Sequence, residues 1–164
     1  MTATYEKIAT TTLGSTAADV TFSAITGSYT DLVLVLNLKG TVNNYPRVQY
    51  NSDTGSNYSR TWLAGTGSAA SSGRASNQTY MYFVEAASTG TSGMSLNNII
   101  QVFNYSNTTT FKTAIGRGNS ASSGVDAIVN LWRSTSAITS IKIYPDTGSW
   151  AADSTFTLYG IKSE

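Results

Sequence analysis

Hydrophobic positions along the chain recur with a period of two. In the clearest run Leu32, Leu34, Leu36 and Leu38 lie on one face, with Val33, Val35 and Asn37 on the other, so the strand is apolar on nearly both sides. Weaker alternation predicts further strands over 5–11, 20–25, 47–51, 58–63, 79–84, 96–105, 111–115, 125–132, 138–144 and 155–161. Turn signals separate them at Thr26-Gly27-Ser28, Asp53-Thr54-Gly55, Ser106-Asn107 and Asp146-Thr147-Gly148, where glycine supplies positive φ and Asx side chains bond the local backbone. No stretch carries a helical period; a single turn near 134–137 is the one place a helix is expected. The reading is all-β: a single-domain antiparallel β-sandwich, jelly-roll-like, spanning residues 1–164. Leu34, Leu36, Ile100, Val102, Val129, Leu131, Ile143 and Leu158 are the expected core. Two small, polar stretches, 65–76 and 85–93, lack apolar anchors and are expected to be long loops.

Composition narrows the chemistry. The chain has 164 residues, enough to bury a core without disulfides or metal, and it contains neither Cys nor His. A Ser-His-Asp triad, a thiolate nucleophile and an ordinary zinc or copper site are therefore excluded. Only 12% of residues are charged, while Ser, Thr and Asn make up 60 of the 164, so hydroxyls and amides supply the surface polarity. A net charge of +1 gives no long-range field for nucleic acid or anionic lipid, and neither is expected as a partner. The N-terminus lacks the basic segment and apolar core of a secretory signal, and no apolar run approaches the length of a membrane span. Four Asn-x-Ser/Thr triplets, at Asn57, Asn77, Asn104 and Asn107, are expected by chance in so Ser/Thr-rich a chain.

Candidate reactive groups are few. Asp-Thr-Gly-Ser occurs twice, at 53–56 and 146–149, and is the string of aspartic proteases, whose chemistry needs two carboxylates sharing one proton. Here turn residues precede each copy, so both read as β-turns. Gly116-Arg117-Gly118 precedes no helix and reads as a strand end and loop, not a phosphate cradle. Outside the C-terminus the only glutamates are Glu6 and Glu85, and no carboxylate pair for glycoside hydrolysis stands out. Asp146 and Asp153 are too dispersed for a calcium cage. No catalytic residue, cofactor or metal is expected. Aromatic residues are concentrated in the strands. Tyr58, Trp62, Tyr80 and Tyr82 could form a platform that stacks on a sugar ring or a neighbouring protein, with Trp150 a further exposed aromatic. Strand packing is the competing explanation. Partner contacts are expected from an N-terminal arm over 1–7, including Thr2, Tyr5 and Lys7, and from Arg74 and Glu85 in the two polar loops.

The segments TYEKIATTTLGS (4–15), VTFSAITGSYTDLVLVL (20–36), VQYNSDTGSNYS (48–59), VFNYSNTTTFKT (102–113), LWRSTSAITSIKIY (131–144) and STFTLYGIK (154–162) resemble a family of small virion proteins of tailed bacteriophages, particularly of cyanobacterial and other aquatic hosts. The resemblance spans nearly the whole chain and matches least over 65–76 and 85–93. It implies a virion location and no enzymatic activity. The role it implies is a capsid decoration, or cement, protein on the outer capsid surface, contacting the major capsid protein and copies of itself as a trimer. The alternative is a head or tail fibre or tip module that binds host-surface glycans.

Overall fold

The structure is a computed structural model, and it describes residues 4–90 and 94–162. Among these residues there is no helix, including at 134–137, and twelve strands carry the fold. They are β1 (Tyr5–Thr12), β2 (Val20–Phe22), β3 (Asp31–Leu38), β4 (Pro46–Tyr50), β5 (Tyr58–Gly65), β6 (Ala70–Gln78), β7 (Met81–Tyr82), β8 (Leu96–Val102), β9 (Lys112–Ser120), β10 (Gly124–Trp132), β11 (Ile141–Pro145) and β12 (Thr155–Ile161). All pairings are antiparallel, in an eight-stranded sheet ordered β1-β12-β3-β8-β9-β10-β5-β6 and a four-stranded sheet ordered β2-β11-β4-β7.

The expected jelly roll is present in the strand order. Quartets β1-β12-β3-β8 and β2-β11-β4-β7 face each other, and the chain crosses between sheets at successive connections. Two inserted hairpins, β5–β6 and β9–β10, widen only the larger sheet. Leu32, Leu34, Leu36 and Leu38 of β3 point into the gap, where they meet Val48, Tyr50, Ile141, Ile143, Phe156 and Leu158. Of the expected core residues, Leu34, Leu36, Ile100, Val102, Ile143 and Leu158 are buried. Val129 and Leu131 are not: on β10 the buried face belongs to Asp126, Ile128, Asn130 and Trp132. The alternation expected on β10 is one residue out of phase, because polar Asp126 and Asn130 occupy interior positions.

That interior polarity has a cause. The four-stranded sheet is too narrow to cover β9, β10 and β5, and the segment 83–90 lies over them instead. Gly116 and Gly118 make room for it: a Cβ at Gly116 would stand 2.4 Å from Phe83 Cδ1, and one at Gly118 would stand 2.5 Å from Val84 Cγ1. Gly116-Arg117-Gly118 is therefore the middle of β9, correcting its reading as a strand end and loop. The segment's backbone needs partners, and interior polar side chains supply them. Asp126 accepts the amides of Ala86 and Ala87 at 2.9 and 2.8 Å, Asn98 donates to the Phe83 carbonyl at 3.0 Å, and Asn130 donates to the Tyr82 carbonyl at 2.7 Å. The loop expected over 85–93 is a loop over 85–90, with Ala87, Ser88 and Thr89 buried so that it packs onto the sheet, and 91–93 lie outside the described residues.

The expected loop 65–76 is corrected. Its first residue ends β5, a turn with φ +86° at Gly67 follows, and residues 70–76 form most of β6, an edge strand of the larger sheet. Small side chains such as Ser71, Ser72 and Gly73 carry no apolar period, yet their backbone pairs with β5. The expected contact arm differs likewise: Tyr5, Glu6 and Lys7 pair with Ile161, Gly160 and Tyr159 within the sheet, while Thr2 lies outside the described residues. The strand expected over 79–84 shortens to Met81–Tyr82.

Candidate functional site

Cross-strand registry aligns the outward-facing residues of the larger sheet into rows. One row runs Thr157, Val35, Ile99, Arg117, Ala127, Leu63, Ser72. The next runs Lys7, Tyr159, Val33, Gln101, Ile115, Val129, Thr61, Arg74. A third brings together Asn37, Asn97, Asn119 and Val125, with Asn37 donating to Asn97 at 2.6 Å. Val35, Leu63, Ile99, Ile115, Val125 and Val129 are each 39–65% exposed. They are neighbours on one face around Arg117. A shallow cavity of about 300 Å³ between Ile99, Ile115 and Ala127 opens beside Arg117, and a second groove runs along Val129 and Leu131 to Arg74. The charges on these rows, Lys7, Arg117 and Arg74, are all cationic. Asp31, at the margin, spends both carboxylate oxygens on Gln101 and the Asn104 amide.

A second site lies where strand β5 overhangs the edge strand β7. Here Tyr45, Arg60, Tyr82, Val84, Glu85 and Asp146 line a cleft of about 280 Å³. The Arg60 guanidinium lies 4.6 Å from the Trp62 ring centre and 4.7 Å from that of Tyr82, and its Nη1 pairs with Glu85 Oε2 at 2.8 Å. Arg60 Nε is buried with no hydrogen-bond partner among the described residues. Tyr45 and Tyr82 meet at 89°, their ring centres 6.5 Å apart, and form a corner. Arg47 lies 4.2 Å from the Tyr80 ring centre and donates from Nε to the Tyr82 hydroxyl at 3.1 Å. Burial raises the Tyr82 phenol above its ordinary value although Arg47 pulls the other way, so the ring keeps its proton. Asp146 Oδ1 accepts the Tyr45 amide at 2.8 Å.

The sequence-selected residues distribute unevenly over these features. Arg74 sits on the outer face, with Tyr5 and Lys7 at its far edge, and Glu85, Tyr82, Tyr80 and Trp62 gather at the cleft. Tyr58 and Trp150 belong to neither: for these two, packing inside the sandwich holds and the stacking platform does not. Both are fully buried. The Tyr58 hydroxyl donates to the Asp53 carbonyl at 3.0 Å, and the Trp150 indole donates to the Ile143 carbonyl at 3.3 Å and packs on Phe156. Sequence reading misses Tyr45, Arg47 and Arg60 and gives Asp146 only a turn role. A Tyr and an Arg flanking Pro46 are the only local signal.

The two Asp-Thr-Gly-Ser strings have separate jobs. Asp53 Oδ1 accepts the Gly55 amide at 2.8 Å, and its Oδ2 accepts Asn57 Nδ2 at 2.9 Å and Trp132 Nε1 at 2.7 Å. Burial pushes this carboxyl up, but the donors from Trp132, Asn57 and Gly55 outweigh it and hold it below its ordinary value. Asp146 instead fastens the chain at Tyr45 and borders the cleft. Among the described residues no three carboxylates gather as metal ligands. Comparison with protein-family models and with curated proteins returns no match to this chain.

Proposed function

We propose that this chain is a virion structural protein of a tailed bacteriophage, a capsid decoration protein that binds the major capsid shell through the outer face of its eight-stranded sheet. The observation that carries the reading is the contiguous aliphatic surface of Val35, Ile99, Ile115, Val129, Leu63 and Val125. An isolated protein seldom exposes a large contiguous apolar patch without a partner to cover it. Covering it stabilises association by roughly 25 cal/mol per Å² of apolar surface removed from water, before ordering costs. The charges select the partner. Two copies stacked by this face would bring Arg117, Arg74 and Lys7 against one another, so the occupant is a different protein that offers carboxylates among apolar side chains. Repetition over a shell makes modest single contacts hold, and a ligand that prefers the assembled state stabilises it by mass action. Self-association as a trimer at threefold positions belongs to the same proposal and uses other surfaces.

The test uses purified particles. Removing the protein lowers shell resistance to heat and osmotic shock, and adding back the wild-type chain restores it. The Ile115→Lys/Val129→Lys chain folds but fails to restore it. Unchanged resistance after removal, or full rescue by the double variant, refutes the reading. A handful of copies confined to the tail points instead to a fibre or tip module.

A further inference from the structure

We propose that the cleft between Tyr45, Arg60, Tyr82, Glu85 and Asp146 is a binding site for a single neutral saccharide ring. This inference is independent of shell docking. Arg60 points to the opposite side of β5 from the outer-face residues Thr61 and Leu63, so a copy docked by that face would keep the cleft open. The donor and acceptor set fits adjacent hydroxyls. Among the described residues Asp146 Oδ2 and Glu85 Oε1 accept no hydrogen bond, so each can take one from a ligand hydroxyl. Arg60 keeps donors beyond the one given to Glu85. Tyr45, half-buried at the cleft, supplies apolar ring surface for the C–H face of a sugar, while Arg60 already lies over Tyr82.

Charge sets the class. Two carboxylates border the cleft, balanced by Arg60 in it and Arg47 behind Tyr82. A neutral polyol meets no penalty there, whereas a phosphate or carboxylate would face Glu85 and Asp146. A cleft of about 280 Å³ has room for one ring and not for a long chain.

The experiment titrates the full chain, by ligand-observed NMR and backbone shift mapping, with methyl glycosides of glucose, galactose, mannose and N-acetylglucosamine. Glucose 6-phosphate and N-acetylneuraminic acid are the anionic controls. At least one neutral glycoside is expected to bind with a dissociation constant on the order of 1 mM, with shifts centred on Tyr45, Arg60, Tyr82, Glu85 and Asp146. Asp146→Asn preserves the acceptor for the Tyr45 amide and removes the free carboxylate oxygen, so it weakens binding about tenfold with the thermal midpoint unchanged. Glu85→Gln weakens it in the same direction. Absence of binding by every neutral glycoside, tighter binding of either anion, shifts centred elsewhere, or wild-type affinity in Asp146→Asn overturns the proposal.

Discussion

Asp53 ties the turn after β4 to the end of β10, and its removal gives a graded test of how the sandwich is closed at that end. Replacing it with Asn keeps one oxygen but puts an amide N–H₂ where the second acceptor stood. Of the three donors, Gly55 and Asn57 can turn to water, whereas Trp132 is buried, so its indole N–H must keep the remaining oxygen or go unpaired. A hydrogen bond to a charged group contributes about 1.5–3 kcal/mol, and an abandoned buried donor costs about 1–3 kcal/mol. Asp53→Asn should therefore cost about 2 kcal/mol at pH 7. The sign of the pH dependence follows from the lowered carboxyl. Its contribution is complete above the unfolded value near 3.9 and is lost as pH falls through the lower folded value. Urea denaturation followed by circular dichroism from pH 7 down to pH 2.5 measures both. The gap between wild type and Asp53→Asn should hold from pH 7 to about 5 and close below about 4. A gap that persists unchanged at pH 2.5, or a cost at pH 7 under about 0.5 kcal/mol, refutes the assignment.

Gly116→Ala should destabilise by about 1–3 kcal/mol through overpacking against Phe83, read as a lower urea midpoint at unchanged slope. Asp126→Asn should cost about 1–3 kcal/mol, because one of the Ala86 and Ala87 amides loses its acceptor; faster hydrogen exchange confined to 85–90 is its signature. Lys112→Met should cost about 1–3 kcal/mol, since the buried ammonium donates to the Thr110 and Thr135 carbonyls. Burial lowers that amine below its ordinary value, so the wild type should gain stability as pH rises from the folded value towards the unfolded one near 10.4, a gain Lys112→Met lacks in alkaline urea titrations.

The sequence by itself determined the class of fold. A period of two needs no partner to be seen, and eleven of the twelve strands overlap an alternating run. The interior of β3 was readable because its leucines repeat on one face. Tertiary structure decided the rest. Strand β6 was invisible because Ser, Gly and Ala carry no alternation, and only pairing with β5 makes that stretch a strand. The phase of β10 was hidden because its interior carries Asp126 and Asn130, whose reason is the backbone of 83–90 lying across them. The apolar outer face is a property of registry between strands far apart in sequence: Ile99, Ile115, Val129 and Leu63 become one surface only once β8, β9, β10 and β5 are aligned. The cleft likewise joins residues 45, 60, 82, 85 and 146, because two sheets of unequal width leave an overhang, and no local pattern encodes the width of the opposing sheet.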